Sequence, residues 1–129
     1  MILVDTSIWI EVFRKKSPLR IESVVEFGEI VTCLPVIQEV LQGFREERAH
    51  RAARDAMTAL PIIESPMEES LFVEAAGLYR SARRRGLTIR SSVDCLIAAC
   101  ALRHDMAVFH KDRDYPLLGR ISPLTVRSG

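Results

Sequence analysis

What the chain has little of narrows its class before any motif is read. Its three cysteines, Cys33, Cys95 and Cys100, are an odd number without C-x-x-C spacing, and each lies in an apolar run. They read as reduced core thiols of a cytosolic protein, not as zinc ligands. No apolar run approaches the ~20 residues that span a bilayer, so no membrane partner is expected. The amino-terminal stretch MILVDTSIWI has neither a basic n-region nor a small-residue cleavage site, and is not expected to be a signal peptide. Net charge is only +1, so bulk electrostatics argue neither for nor against a nucleic-acid partner. Repeats, linkers and low-complexity segments are absent. What is present, 129 residues of which 48% are hydrophobic and 27% charged, is a globular profile expected to form one domain over 1–129. A chain of this size buries about two-thirds of its unfolded surface.

The stretch that organises the rest is Ser91–Leu102, SSVDCLIAACAL. From Leu96 to Leu102 every residue is apolar, so a helix here has no polar face and must be buried. Its opening turn nevertheless carries Asp94, about 60° around the helix from Ile97. A buried carboxylate without a partner costs several kcal/mol. An acid in the first turn also suits the helix dipole, with Ser91 and Ser92 before it as caps, so capping and function both stand for Asp94 taken alone.

In chain order, Met1–Val4 reads as a buried strand ended by Asp5-Thr6-Ser7, followed by a helix through Ile8, Trp9, Val12 and Phe13. A short helix is expected over Leu19–Phe27 and a strand over Glu29–Cys33. Pro35 suits the start of a helix whose stripe is Val36, Val40 and Phe44, with Glu39 flanking that stripe. Helix continues over Glu46–Leu60, and Leu60–Glu64 is an edge-strand candidate because of Pro61. Met67–Arg85 reads as a helix closed by basic residues and Gly86. The buried helix at 92–104 follows, then a strand at Met106–Phe109, a loop His110–Tyr115 and a final strand around Leu124–Val126. Strands alternating with helices, and short continuous apolar strands, indicate an α/β domain whose parallel sheet is covered on both faces.

In such sheets ligands gather outside the carboxyl ends of the strands. Asp5 ends the first strand, Asp112 and Asp114 follow a late one, and Glu39 and Asp94 lie in early turns of helices entering from that edge. Converging carboxylates repel by roughly 1–3 kcal/mol per close pair, which favours a bound cation. Oxygen-only ligands suit hard ions, Mg²⁺ or Mn²⁺, and such ions support phosphodiester hydrolysis. Thr6 and Ser7 could order a water or a ligand carboxylate, with N-capping the expected job for at least one of them.

DTSIW after the first strand, QEVLQG in a helix, SSVDCLIAA and HKDRDY, in this order, resemble the PIN-domain ribonucleases. The closest likeness is to VapC-type toxins of bacterial and archaeal toxin–antitoxin pairs, and it runs from Ile2 to Tyr115. The resemblance implies a PIN-like three-layer α/β/α sandwich with a central, mainly parallel sheet. It also implies a Mg²⁺-dependent endoribonuclease, with Mn²⁺ as a substitute. The implied metal-site acids are Asp5, Glu39, Asp94 and Asp112, helped by Asp114, and the match leaves open which of the last two touches metal. Thr6 and Ser7 match the family's small hydroxyl residues after the first acid. Tyr115 stands where the family often has Phe, and is expected to pack beneath the site. His110 is expected to be a strand-end residue. The implied setting is a cytoplasmic homodimer held inactive by a small VapB-like antitoxin, whose basic side chain could enter the acidic cluster. Apolar surface on helices 8–13 and 36–44 is available for such contacts.

RNA needs a cationic approach, for which Arg80, Arg83, Arg84, Arg85 and Arg90 form one acid-free segment and Arg14-Lys15-Lys16 a second. The Arg45–Arg54 series drifts around its helix, and Glu46 and Glu47 point to ordinary surface pairing. Two other enzyme readings are weaker. A haloacid-dehalogenase-type phosphatase wants an acid two residues after Asp5, where Ser7 stands. A response-regulator receiver wants an acidic pair near the first strand. A non-catalytic PIN-fold binding module is the alternative outside enzymes, and it has no need of the clustered acids.

Overall fold

Strand β1 (Ile2–Val4) is buried along its length, as a run with no polar face to give to water must be. In the computed structural model, which describes residues 1–129, β1 sits inside a four-stranded parallel sheet. The order is β2 (Ile30–Val31), β1, β3 (Ala107–His110), β4 (Val126–Ser128). Register pairs Ile2 with Ile30 on one side and with Ala107 on the other, and Val108 with Val126. The chain leaves β1 for β2 on one flank and returns to β3 on the other, so the carboxyl end of β1 is a topological switch point, where open α/β sheets bind ligands.

Six helices cover the sheet in an α/β/α arrangement: α1 (Thr6–Val12), α2 (Leu34–Leu41), α3 (Glu47–Thr58), α4 (Glu69–Arg84), α5 (Ser92–Arg103) and α6 (Asp114–Ile121). Ile97–Ala101 of α5 are buried on every side, and Leu3, Val4, Val36, Leu71, Val108 and Leu118 fill the same core. All three cysteines are free and buried. Contact with Cys100 and burial push the Cys33 thiol up, so it stays a protonated packing group. Arg83 and Arg84 lie in the last turn of α4, and Gly86 follows with φ +74, the left-handed value that ends a helix at little cost in glycine. No helix is long and apolar enough to cross a membrane.

Four expectations need correction. Leu19–Phe27 is not a helix but holds a 3-10 turn at Ile21–Ser23, with a second at Phe27–Glu29. Between Pro18 and Gly28 the segment is too short and too rich in β-branched residues to nucleate an α-helix. The helix from Leu34 does not continue past Gly43; it stops at Leu41, and α3 begins separately at Glu47. Phe44 falls in the break and meets Phe13 edge-on at 5.7 Å. Leu60–Glu64 contributes only one parallel bridge, Thr32 to Ile62, because Glu64 turns into the left-handed region. Asp114–Ile121 is helical, so the expected loop His110–Tyr115 ends at Arg113. Pro116 lies in the first turn of α6, where no backbone N–H partner is needed.

Candidate active site

Asp5 leaves β1 in extended conformation and caps α1: its Oδ2 accepts from the backbone N–H of Ser7 at 2.9 Å and from the Ser7 hydroxyl at 2.5 Å. Neither Thr6 nor Ser7 is the cap, contrary to the expectation for at least one. Both hydroxyls hold acids instead. Ser7 Oγ bonds Asp5 and accepts the backbone N–H of Lys111 at 2.9 Å, which ties the end of β1 to the chain leaving β3. Thr6 Oγ1 donates to Glu39 Oε1 at 2.8 Å. Burial raises the pKa of Glu39, although the Thr6 bond opposes the shift.

On the other side of the sheet edge, Asp94, Asp112 and Asp114 each offer an oxygen, and these lie within 4.8 Å of one another. No histidine or cysteine belongs to this group. Asp114 is fixed by the backbone: its carboxylate accepts the N–H groups of Arg90 and Ser91, at 3.1–3.2 Å, ahead of α5. Asp112 is half-buried and its Oδ1 accepts the Asp114 N–H at 2.9 Å, opening α6. Asp94, only 5% exposed, does not cap its helix. Its Oδ1 is reached by the Tyr115 hydroxyl at 3.4 Å, and its Oδ2 is buried with no partner.

Tyr115 joins the two halves. Its ring is fully buried beneath the acids, and its hydroxyl donates to Asp5 Oδ1 at 2.6 Å while standing near Asp94. Asp5 and Glu39 lie outside the tight trio but within its field: Asp5 and Asp112 raise the pKa of Glu39, and both also raise that of Asp94. His110 ends β3, packs at a tilt 5.3 Å from the Tyr115 ring and accepts the Asp112 N–H through Nδ1. Burial holds its imidazole below the ordinary value, so it is neutral scaffold at physiological pH.

Among the site's carboxyls, Asp94 carries the strongest electrostatic signal. Burial first, then the adjoining Asp114 carboxylate and the charges of Asp5 and Asp112, push its pKa up to about 9. Without a cation this carboxyl keeps its proton at neutral pH. An unpartnered buried oxygen beside two further carboxylates is what a hard divalent cation satisfies, and an all-oxygen set excludes a preference for soft metals. The donor set therefore fits such an ion.

A PIN domain model matches residues 2–121. The chain belongs to the PIN domain family. Over 99% of its length it is 37% identical to ribonuclease VapC11 of Mycobacterium tuberculosis, of which it covers 98%. Among solved structures, DNA-bound VapBC from Salmonella typhimurium superposes with a TM-score of 0.78 at 16% identity, covering 99% of this chain and 98% of that one. VapBC-5 of M. tuberculosis, a member of the VapBC family of toxin–antitoxin systems, gives 0.69 at 19% identity, with 98% and 95% covered. Within this PIN fold, the contribution of Tyr115 through its hydroxyl was not foreseen; the Tyr in place of the usual Phe was its only sequence signal. The Arg90 and Ser91 backbone donors had none.

Proposed function

We propose that the protein is a Mg²⁺-dependent endoribonuclease, the toxic member of a VapBC-type toxin–antitoxin pair acting in the cytoplasm. One observation carries the reading: the buried, unpartnered Asp94 Oδ2 in a cluster with Asp112 and Asp114. Asp94 and Asp112 are the residues that would hold the ion most directly, with Asp5, Asp114 and Glu39 around them. A bound divalent cation supplies charge stabilisation to phosphate oxygens during an in-line displacement.

The chain's own groups prepare that chemistry. Ser7 and the Lys111 N–H fix the Asp5 side chain, and the Tyr115 hydroxyl sets the orientation of its second oxygen. Thr6 orients Glu39 and leaves Oε2 free to take a proton from an attacking water. Asp114, held by two backbone N–H groups, positions Asp112 and the start of α5. Ser7, engaged with Asp5, is not available as the acid of a phosphatase of the dehalogenase type.

The proposed partners follow from the relatives' assemblies and from the surface. Ile10, 62% exposed, joins Trp9, Phe13, Val40 and Phe44 around an apolar groove of about 170 Å³ between α1 and α2. An antitoxin segment offering apolar side chains fits this groove, and a homodimer completes the assembly. The decisive experiment incubates the protein with total RNA, with and without Mg²⁺, and maps new 5′ ends. Asp94→Asn should lose most cleavage while remaining folded by circular dichroism. Full activity of that variant, or of the wild type in EDTA, would overturn the assignment.

A further inference from the structure

We propose that Arg80, Arg83 and Arg84 on α4 form a subsite for the backbone phosphates of single-stranded RNA flanking the cut bond. The inference rests on the ribonuclease reading and adds the course of the strand. The three residues are spaced i, i+3, i+4 and so share one helix face. Together they line a surface concavity of about 300 Å³ that contains no acid and no hydrophobic residue.

None of the three guanidinium groups has a carboxylate within ion-pair distance. Arg84 makes one bond, to Ser81 Oγ at 3.4 Å. By contrast, Arg103 on α5 is held by Glu64 at 3.2 Å and Glu74 at 2.8 Å. Like charges at this spacing cost a few tenths of a kcal/mol per pair on a helix. The helix dipole accounts for cations in the last turn, Arg83 and Arg84, but not for Arg80 a turn earlier or for the convergence on one hollow. Guanidinium forks match phosphate oxygens, and three in one hollow form a site for an anionic chain.

Continuity with the acids gives the direction of the strand. Arg80 is also the one cation in the neighbouring, mainly apolar groove, which Ser92, Val93 and Cys95 line from the turn of α5 that carries Asp94. Arg90, exposed between the two helices, gives its backbone N–H to Asp114. Arg80 thus adjoins the α5 turn that carries Asp94, and the Arg90 backbone adjoins Asp114. In the second basic segment Arg14 pairs with Glu11 at 2.7 Å, an acid that Lys111 also reaches at 3.2 Å, while Lys15 and Lys16 make no ion pair but lie outside the concavity.

The test is anisotropy of a short fluorescent single-stranded RNA of mixed sequence, in EDTA so that it is not cut, over a range of KCl. The triple variant Arg80→Gln, Arg83→Gln, Arg84→Gln should bind about tenfold more weakly at physiological salt, with the slope of log affinity against log salt shallower by about 1–2. The corresponding triple Lys variant should keep most of the slope, and Lys15→Gln with Lys16→Gln should leave affinity unchanged. Wild-type affinity and slope in the Gln triple, or equal losses in the Gln and Lys triples, would overturn the subsite. Wild-type protein that cuts no RNA in Mg²⁺ would overturn the ribonuclease reading itself, which the binding assay does not read.

Discussion

Ser7 is a small residue in a demanding position. Its hydroxyl is donor to Asp5 and acceptor for Lys111 N–H at once, so it carries the orientation of one acid and the junction between β1 and the chain after β3. Side chains that orient metal ligands are typically worth 10–100-fold in metal affinity or activity. Ser7→Ala should therefore raise the Mg²⁺ concentration needed for half-maximal RNA cleavage about tenfold or more. Ser7→Thr, which keeps the hydroxyl, should recover most of it. An unchanged Mg²⁺ dependence in Ser7→Ala would reduce the bond to local helix geometry. The run Asp5-Thr6-Ser7 was legible as chemistry but not as an assignment of tasks. All three side chains can cap a helix, and only the extended backbone of Asp5 decides that it is the cap. The release of both hydroxyls towards carboxylates depends on Glu39 and Lys111, 33 and 104 residues away from their partners, which no local pattern encodes. Likewise, Arg45–Arg54 find no partner in Glu46 or Glu47; the pair that forms is Arg54 with Asp55 at 3.5 Å.

Helix α6 separates the two acids that the sequence left unresolved. Asp114, its first residue, is buried and receives the Arg90 and Ser91 N–H groups, whereas Asp112 stands before the helix, half-exposed, with Oδ2 uncommitted. Removing an acceptor from buried N–H groups costs about 1–3 kcal/mol, and water can replace Asp112 more readily than Asp114. In EDTA, Asp114→Ala should unfold at lower urea than Asp112→Ala, while both lose cleavage. The reverse order would make Asp112 the anchor and Asp114 the freer ligand. The element itself escaped the sequence reading because Pro116 and Gly119 argue against helix, although Tyr115 and Leu118 carry the i, i+3 burial that would have revealed it. Where the pattern was strong it sufficed: the all-apolar stretch of α5 and the Arg-Arg-Arg-Gly end of α4 stand where they were read. The segment from Leu19 to Glu29 shows the opposite limit, since its apolar residues mark burial without choosing between a helix and two short turns.

On the scale of the whole molecule, a net charge of +1 hides a concentration of acids at the carboxyl edge of the sheet that the unfolded chain does not hold together. Metal-free folding therefore keeps a proton on Asp94. Its folded pKa of about 9 stands above the ordinary aspartate value of 3.8, so between those values the native state binds more protons than the unfolded state. Stability from this group is complete below about pH 4 and is lost progressively as pH rises towards 9. Each pH unit inside the window removes at most ~1.4 kcal/mol, and solvent screening at the open side of the site reduces the sum at neutral pH to about 1–4 kcal/mol. The raised pKa of Glu39 acts in the same direction. Asp94→Asn takes away the main part of this slope. In EDTA the variant should match the wild type near pH 4 and exceed it increasingly up to pH 8, read as urea midpoints. Excess Mg²⁺ should reverse the order at neutral pH. An ion that binds only the folded wild type adds about 4.1 kcal/mol at a thousand times its Kd, enough to overtake that deficit, and the variant, lacking one carboxylate, gains little. If Asp94 served only the dipole of α5, the Asn variant would be equal or weaker at every pH in EDTA, and Mg²⁺ would move neither midpoint. The two outcomes differ in sign at neutral pH, so one pair of unfolding curves separates an acid kept for catalysis from one kept for the helix.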